Sequence, residues 1–575
     1  MKKLRKYIRG YEKECVLGPL FKLLEASFEL LIPLVVAKIV DVGIAEGDKG
    51  KILLYCSVMI GLGIIGLVCS VTAQWFAARA GVGFATALRR GVMENLLTLS
   101  YSQMDTLGSS TMITRLTSDI NQVQNGLNLT LRLLLRSPFV VFGAMVMAFT
   151  IDFKAALVFV AVIPILSLVV FGIMLSTMPM YKRVQQGLDD VTSATRENLA
   201  GVRVLRAFCK EDQEVRDFRA TTQELSQRQL KAGGISALLN PLTFVIINLA
   251  VVILVNIGAI QVEHGILTQG LVIALYNYMS QILVELIKLA NLIINMTKAA
   301  ACAKRVSGIL DLETDQQWGT RSADGLQGRV EFRDVSARYA GAGDTSLEGV
   351  SFLAEPGTTL GIIGSTGSGK TTLVNLIPRL YDIAGGKLLL DGVPAEDYDL
   401  SSLRNRIGTV PQSPQLFRGT IRSNLQWGNP QASEEELYKA LDLAQAREIL
   451  SSRPEGLDAE VSQGGQNFSG GQRQRLTIAR ALVRHPAILI LDDSASALDY
   501  ATDAALRSSI RTMENPPTTF IVSQRASAVR YADQILVLDD GHVAGLGTHE
   551  ALLKSCGVYA EICASQLPGE VESHD

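Results

Sequence analysis

Histidine and cysteine are scarce in this chain, with 5 and 7 copies in 575 residues. The cysteines at 15, 56, 69, 209, 302, 556 and 563 form no Cys-x-x-Cys pair, so a zinc site has no ligand set to draw on. They read as reduced thiols in cores and helices. An excess of either charge is also missing. Lys+Arg number 54 against 56 Asp+Glu, for a formal net charge of -2. That excludes the basic surplus of a nucleic-acid-binding protein. No small-residue cleavage site follows the basic N-terminus, and Lys22, Glu25 and Glu29 interrupt the apolar run behind it. Residues 1–16 therefore read as an amphipathic segment on the cytoplasmic face rather than a signal peptide. No short-period repeat is present.

What the chain has is apolar length. Hydrophobic residues make up 48%, mean hydropathy is +0.25, and 575 residues imply at least two domains. A span needs about 20 apolar residues. Six candidates precede residue 310: about Leu17–Ile44, Ile52 toward Leu97, Leu131–Ile151, Ala155–Met178, Ile235–Val262 and Leu267–Met296. These runs are too long for barrel strands, so helices are the spanning element. Short linkers at Asp41–Lys51, Asp152–Lys154 and Gln261–Gln269 alternate with long polar, helix-compatible stretches at Ala78–Leu127 and Met180–Ser236. The helices are thus expected to project far beyond the membrane on one side. That side carries Lys2, Lys3, Arg5, Lys6, Arg9, Arg89, Arg90, Lys182 and Arg183. The positive-inside rule makes it cytoplasmic, and an even number of spans returns the C-terminal domain to it. The expected division is a membrane domain at 17–300, a polar linker at 301–328, an α/β domain at 329–566 and a polar tail at 567–575.

The strongest motif is Gly364-Ser365-Thr366-Gly367-Ser368-Gly369-Lys370-Thr371. It follows a strand-like run, Thr359–Ile363, and precedes a helix-like run from Thr372 to Ile377. That is the context a phosphate-binding loop requires. Glycines let backbone N–H groups turn inward around phosphates; Lys370 reaches the β- and γ-phosphates, and Thr371 holds Mg²⁺. A second strand, Ala487–Asp492, ends in an acid placed to hold the same Mg²⁺ through water.

Between them stands Asn467-Phe468-Ser469-Gly470-Gly471-Gln472. Here the sequence resembles the ATP-binding-cassette family, with Phe468 where leucine is more usual. The resemblance implies that Ser469, Gly470, Gly471 and Gln472 contact ATP held by an opposite cassette. It also implies that Tyr339 stacks on adenine. Gln412, in Val410-Pro411-Gln412, becomes the glutamine that contacts Mg²⁺ and senses the membrane domain, and Ser496–Asp499 becomes the D-loop. Thr548-His549-Glu550 resembles a common C-terminal segment without a catalytic role. Thr372 joins the nucleotide contacts. Six spans followed by a cassette look like an exporter-type half-transporter. Ser109–Ile120 is similar to its first coupling-helix region and Glu197–Phe208 to its second, the cytoplasmic tips that transmit cassette closure.

Two positions depart from the family. Asp493 stands where the family places the glutamate that polarises water, and Gln524 stands in place of the switch histidine. Asp is shorter by about 1.5 Å, and a misplacement of about 1 Å can cost on the order of 10²-fold in rate. Glutamine carries neither a proton nor a charge near neutral pH. The pattern resembles the degenerate subunit of a bacterial heterodimeric exporter. It implies ATP and Mg²⁺ as ligands and weak hydrolysis at this chain's own loop. It implies a second half-transporter that supplies the glutamate and histidine and has a signature departing from Ser-Gly-Gly-Gln. The location implied is the bacterial plasma membrane, with both termini cytoplasmic. Small lipophilic compounds (drugs, lipids or peptides) are the cargo by analogy. The first span begins almost at once, so an exporter with a leader peptidase is not expected. Other readings are a regulatory non-pumping subunit, a siderophore-type importer on the exporter fold, and a self-sufficient homodimer. Charges inside the spans mark residues for function or for pairing: Glu25, Glu29, Arg132, Arg136, Glu285 and Lys288. Glu285 and Lys288, three apart, can pair on one face. Asn240, Asn248 and Asn256 can line a polar cavity or link helices.

Overall fold

A computed structural model describes residues 2–339 and 344–566. The expected tail at 567–575 lies outside the described residues. The chain divides into two compact units: residues 1–97 with 110–312, and residues 98–109 with 313–575.

The first unit is helical. Five stretches have the length and apolar composition to cross a bilayer: Lys49–Thr98, Ser109–Ile151, Phe153–Ala200, Glu211–Glu263 and Gln269–Leu310. The helix of the expected first span, α1 (Glu12–Lys38), carries Lys22, Glu25, Glu29 and Lys38, which keep it short of that composition. Three of these charges have partners. Lys22 lies 2.5 Å from Glu25, and Glu29 lies 2.6 Å from Arg136. Helix α2 (Lys49–Thr98) turns Leu53, Ile60, Ile64, Leu67 and Val71 outward. An apolar face of that extent suits hydrocarbon rather than water. The helices meet through small residues, with Ala26, Ala144, Ala148, Ala155 and Ala156 fully enclosed, as expected where close backbone approach drives association in lipid. At the turn opening the last membrane helix, Asp41 accepts hydrogen bonds from the Thr268 hydroxyl (2.5 Å) and the Gly270 N–H (2.7 Å). A Cβ on Gly270 would meet the Ala37 carbonyl at 2.3 Å, so only glycine fits there.

Two boundaries differ from expectation. The last membrane helix continues past residue 300 to Leu310, so the linker starts at Asp311. The short helix nearest the expected first coupling region is α3 (Tyr101–Leu107), just before the expected stretch at 109–120. Ser100 and Gln103 form a reciprocal cap at its start, and Gly108 at φ +72° ends it. Ser109–Ile120 begins the returning helix instead. A short helix at Val202–Ala207 lies within the second expected stretch, 197–208.

The second unit is α/β. Strands β1 (Val330–Ala337), β2 (Leu347–Ala354), β4 (Gly385–Leu390) and β5 (Val393–Pro394) form an antiparallel sheet ordered β2-β1-β4-β5. The other sheet contains β3 (Thr359–Gly364), β6 (Ile407–Val410), β7 (Ile488–Asp492), β8 (Thr518–Val522), β9 (Gln534–Asp539) and β10 (His542–Gly547). Its order is β10-β9-β3-β8-β7-β6, parallel except for β10. The inner strands are buried on both faces, which accounts for continuous runs such as Ile488–Leu491.

Candidate functional site

Register alone gathers the motif residues. Val522 of β8 pairs with both Ile362 of β3 and Asp492 of β7, and Leu491 of β7 pairs with Val410 of β6. The loop after β3, the acids ending β7, Gln524 beyond β8 and Gln412 beyond β6 therefore emerge along one edge. That edge is the carboxyl ends of parallel strands, where open α/β sheets bind ligands.

The loop between β3 and α4 (Lys370–Leu376) is held by packing that only glycine allows at two points. Gly369 has φ +93°, and a Cβ there would meet Leu347 and the Ser346 carbonyl at 2.6 and 2.8 Å. A Cβ on Gly364 would meet the Leu538 carbonyl at 2.1 Å. Inside the loop, the Lys370 ammonium donates to the carbonyls of Gly364 (2.9 Å) and Ser365 (2.5 Å) and to the Ser368 hydroxyl (3.2 Å). Burial pushes the Lys370 pKa down, against the attraction of Asp492 and Asp493. The Thr371 hydroxyl donates to Asp492 at 3.1 Å. Burial raises the Asp492 pKa and neighbouring Asp493 adds to it, opposed by Thr371 and Lys370. A buried lysine bonded to loop oxygens, with buried Asp492 and half-buried Asp493 beside it, fits a phosphate chain with a divalent cation.

These groups border a cavity of about 570 Å³, lined by Tyr339, Thr366, Gly367, Gly369, Lys370, Thr371, Thr372, Gln412, Asp492, Asp493 and Gln524 among others. Gln412 donates to Asp493 at 3.4 Å, and Thr366 donates to Gln524 at 3.4 Å. Both departures from the family pattern thus face the same space. Asp493 takes a left-handed conformation, φ +46°, that Asp tolerates better than most residues. Tyr339 reaches the Thr372 hydroxyl at 3.0 Å. Gly364, Ser365 and Ser368 do not line the cavity; their oxygens accept from Lys370.

The signature residues lie outside this cavity. Ser469 caps α5 (Gly470–Leu482) through a reciprocal pair: its hydroxyl accepts from the Gln472 N–H, and the Gln472 side chain accepts from the Ser469 N–H. The side chain of Gln472, expected to contact ATP, is committed to this cap. Phe468 is buried in the core under an Arg453 guanidinium 4.1 Å from its ring.

Sequence reasoning missed several residues. Asp344, Thr345, Ser346, Asp540 and Gly541 also line the cavity, and Tyr381 packs edge-on against Tyr339 at 4.9 Å. No motif marks them. A signal existed only in their nearness to the sheet's carboxyl edge.

Comparison with known proteins finds relatives of both units. Residues 15–286 match the family described as ABC transporter transmembrane region, and residues 347–496 match that described as ABC transporter. An uncharacterized ABC transporter ATP-binding protein of Mycobacterium tuberculosis (strain CDC 1551 / Oshkosh) is 37% identical over 571 residues, covering 98% of this chain and 97% of the relative. Another, from Bacillus subtilis (strain 168), is 36% identical over 570 residues, 99% of each. An ATP-dependent lipid A-core flippase of Vibrio vulnificus (strain CMCP6) is 29% identical over 98% of this chain and 96% of its own length. The solved structure of a bacterial Atm1-family ABC exporter with ATP bound shares the fold, with TM-score 0.79, 24% identity, and coverage of 97% of this chain and 99% of that one.

Proposed function

The chain belongs to the ABC transporter family, built as an exporter-type membrane domain with an ATPase domain, and from that premise we propose that it is the ATP-holding, weakly hydrolysing subunit of a heterodimeric exporter. The observation that carries this reading is that Asp493 and Gln524 line the same cavity as the phosphate-binding loop. Lys370, the loop N–H groups and Tyr339 would hold ATP. Thr371, Asp492 and Gln412 would hold Mg²⁺, which neutralises charge on the phosphates when bound. Asp493 places its carboxylate short of a family glutamate. Gln524 can hydrogen-bond a γ-phosphate without charge. Binding is retained and water activation is weakened.

Ser469, Gly470 and Gly471, with Gln472 holding the cap, are offered to ATP on the partner's cassette, where the partner's glutamate and histidine carry hydrolysis. ATP retained here acts as a ligand that stabilises one state of the pair. Cargo leaves the cytoplasmic side of a bacterial cell membrane, and both termini stay in the cytoplasm. Small lipophilic compounds are the cargo class, and the lipid-flipping relative keeps amphiphilic lipids within it.

The deciding measurement is ATPase activity of the purified full-length pair. Replacing the partner's acid after its Walker-B aspartate with glutamine should reduce turnover to background. Asp493→Asn in this chain should leave most of it. Full-rate hydrolysis by this chain alone, or a neighbouring half-transporter gene lacking both the glutamate and the histidine, would defeat the proposal.

A further inference from the structure

Tyr339 is expected to carry the adenine, and behind it lies a second contact chain within the cassette unit. Tyr381 meets Tyr339 edge to face, with ring centroids 4.9 Å apart and planes at 84°. Its hydroxyl donates to the Asp105 carboxylate on α3 at 2.5 Å. Tyr101, on the same helix, tilts against the Tyr381 ring at 6.2 Å. The tip helix is tied to the same unit again through Gln103, which donates to the Glu313 carbonyl at 2.8 Å. Burial raises the Tyr381 pKa and the bond to Asp105 raises it further, so the phenol stays protonated and a donor.

We propose that Tyr381 is a positioning residue that reports base occupancy on Tyr339 to the first coupling helix through Asp105. A base stacked on Tyr339 fixes that ring, and an edge-to-face pair transmits the restriction because it has a preferred geometry. Tyr381 is held on its other side by a hydrogen bond to a charged group, stronger than a neutral one. The triphosphate is held elsewhere in the cavity, by the loop and Lys370. The ring contact and the Asp105 hydrogen bond that lead to α3 do not pass through Lys370 or the phosphate loop. Coupling is reciprocal, so whatever shifts α3 should alter affinity for nucleotide more than affinity for bare triphosphate. The inference rests on the reading of Tyr339 as the base-stacking residue.

The test uses the full-length transporter in lipid nanodiscs. Hydrogen exchange of residues 101–107 is followed with a non-hydrolysable ATP analogue or with tripolyphosphate, and affinity is followed with a fluorescent nucleotide. The analogue should slow exchange of these amides by about five- to tenfold, while tripolyphosphate at saturation should not. Tyr381→Phe and Asp105→Ala should lose the analogue-induced protection. Asp105→Ala should weaken nucleotide binding by no more than about the same five- to tenfold, and Asp105→Asn, which keeps an acceptor, should recover part of the protection. Protection that persists in Tyr381→Phe, or that tripolyphosphate produces equally, overturns the proposal. Tyr339→Ala separates the layers. Unchanged nucleotide affinity in that variant removes the base-stacking reading itself. Weakened affinity alongside intact protection in Tyr381→Phe removes only the relay.

Discussion

At the scale of single residues, Asp492 and Asp493 have opposite demands. Asp492 is buried, and its raised pKa means the folded chain holds a proton there more readily than the unfolded chain does. The sign follows from linkage: where the folded state binds more protons, stability falls as pH rises. The window opens at the ordinary aspartate value of 3.8 and closes above the raised one. Through it, the nucleotide-free protein should gain stability as pH falls while Mg²⁺-dependent nucleotide affinity declines. Asp492→Asn should raise the thermal midpoint by roughly 2–4 °C, the shift expected for about 1 kcal/mol, and abolish Mg²⁺-dependent binding; a thermal scan with and without Mg·nucleotide reads both. Asp493→Glu tests the missing methylene. Full recovery would approach 10²-fold, but the left-handed backbone at φ +46° suits aspartate better than glutamate. A gain of about tenfold in hydrolysis at this site is expected, measured with the partner's site disabled. A rate that does not change would show that geometry at 493 is not what limits turnover.

At the scale of elements, the membrane unit is joined by an ion network centred on buried Arg136 and Glu285. Arg136 lies 2.5 Å from Glu285 and 2.6 Å from Glu29, Ser137 donates to Glu285 at 2.9 Å, and Lys288 lies 2.8 Å from Glu285. Three helices are thus bonded together. The sequence showed Glu285 and Lys288 as a pair three apart. It could not show that Arg136, 149 positions away, completes the set, because helix periodicity says nothing about which helices are neighbours. Removing one member leaves its partner charged and buried, so Arg136→Leu should destabilise the membrane unit by about 3–5 kcal/mol. The double variant Arg136→Leu/Glu285→Leu should recover most of that loss, since the charges it leaves without these partners, Glu29 and Lys288, are the solvent-accessible ends of the network (36% and 43% exposed). Denaturation in detergent measures both. Asn248 shows the limit of composition: its amide donates to the Phe244 carbonyl one turn back, within its own helix.

At the scale of the whole molecule, the proposed asymmetry between two ATP sites would have a stoichiometric consequence. Vanadate in the presence of Mg·ATP should trap one nucleotide per pair of chains, at the partner's loop. Two trapped nucleotides would mean that Asp493 supports turnover. The apolar runs and the order of cassette motifs were legible in the sequence because each depends on local spacing: a span on about 20 apolar residues, a phosphate loop on glycines beside a lysine. The capping pair Ser100 and Gln103 was equally local, yet its meaning depended on a tip whose position only the fold gives. Tertiary structure decided three further things. Strand register brought Gln412, Asp492 and Gln524 to one cavity from distant parts of the chain. Packing grouped residues 98–109 with the cassette rather than with the helices that flank them in sequence. And it set Tyr381 and Asp105 behind Tyr339. Spacing along a chain fixes which chemistry is possible; which groups meet depends on long-range contacts, and those arise only when the sheet and the helices close.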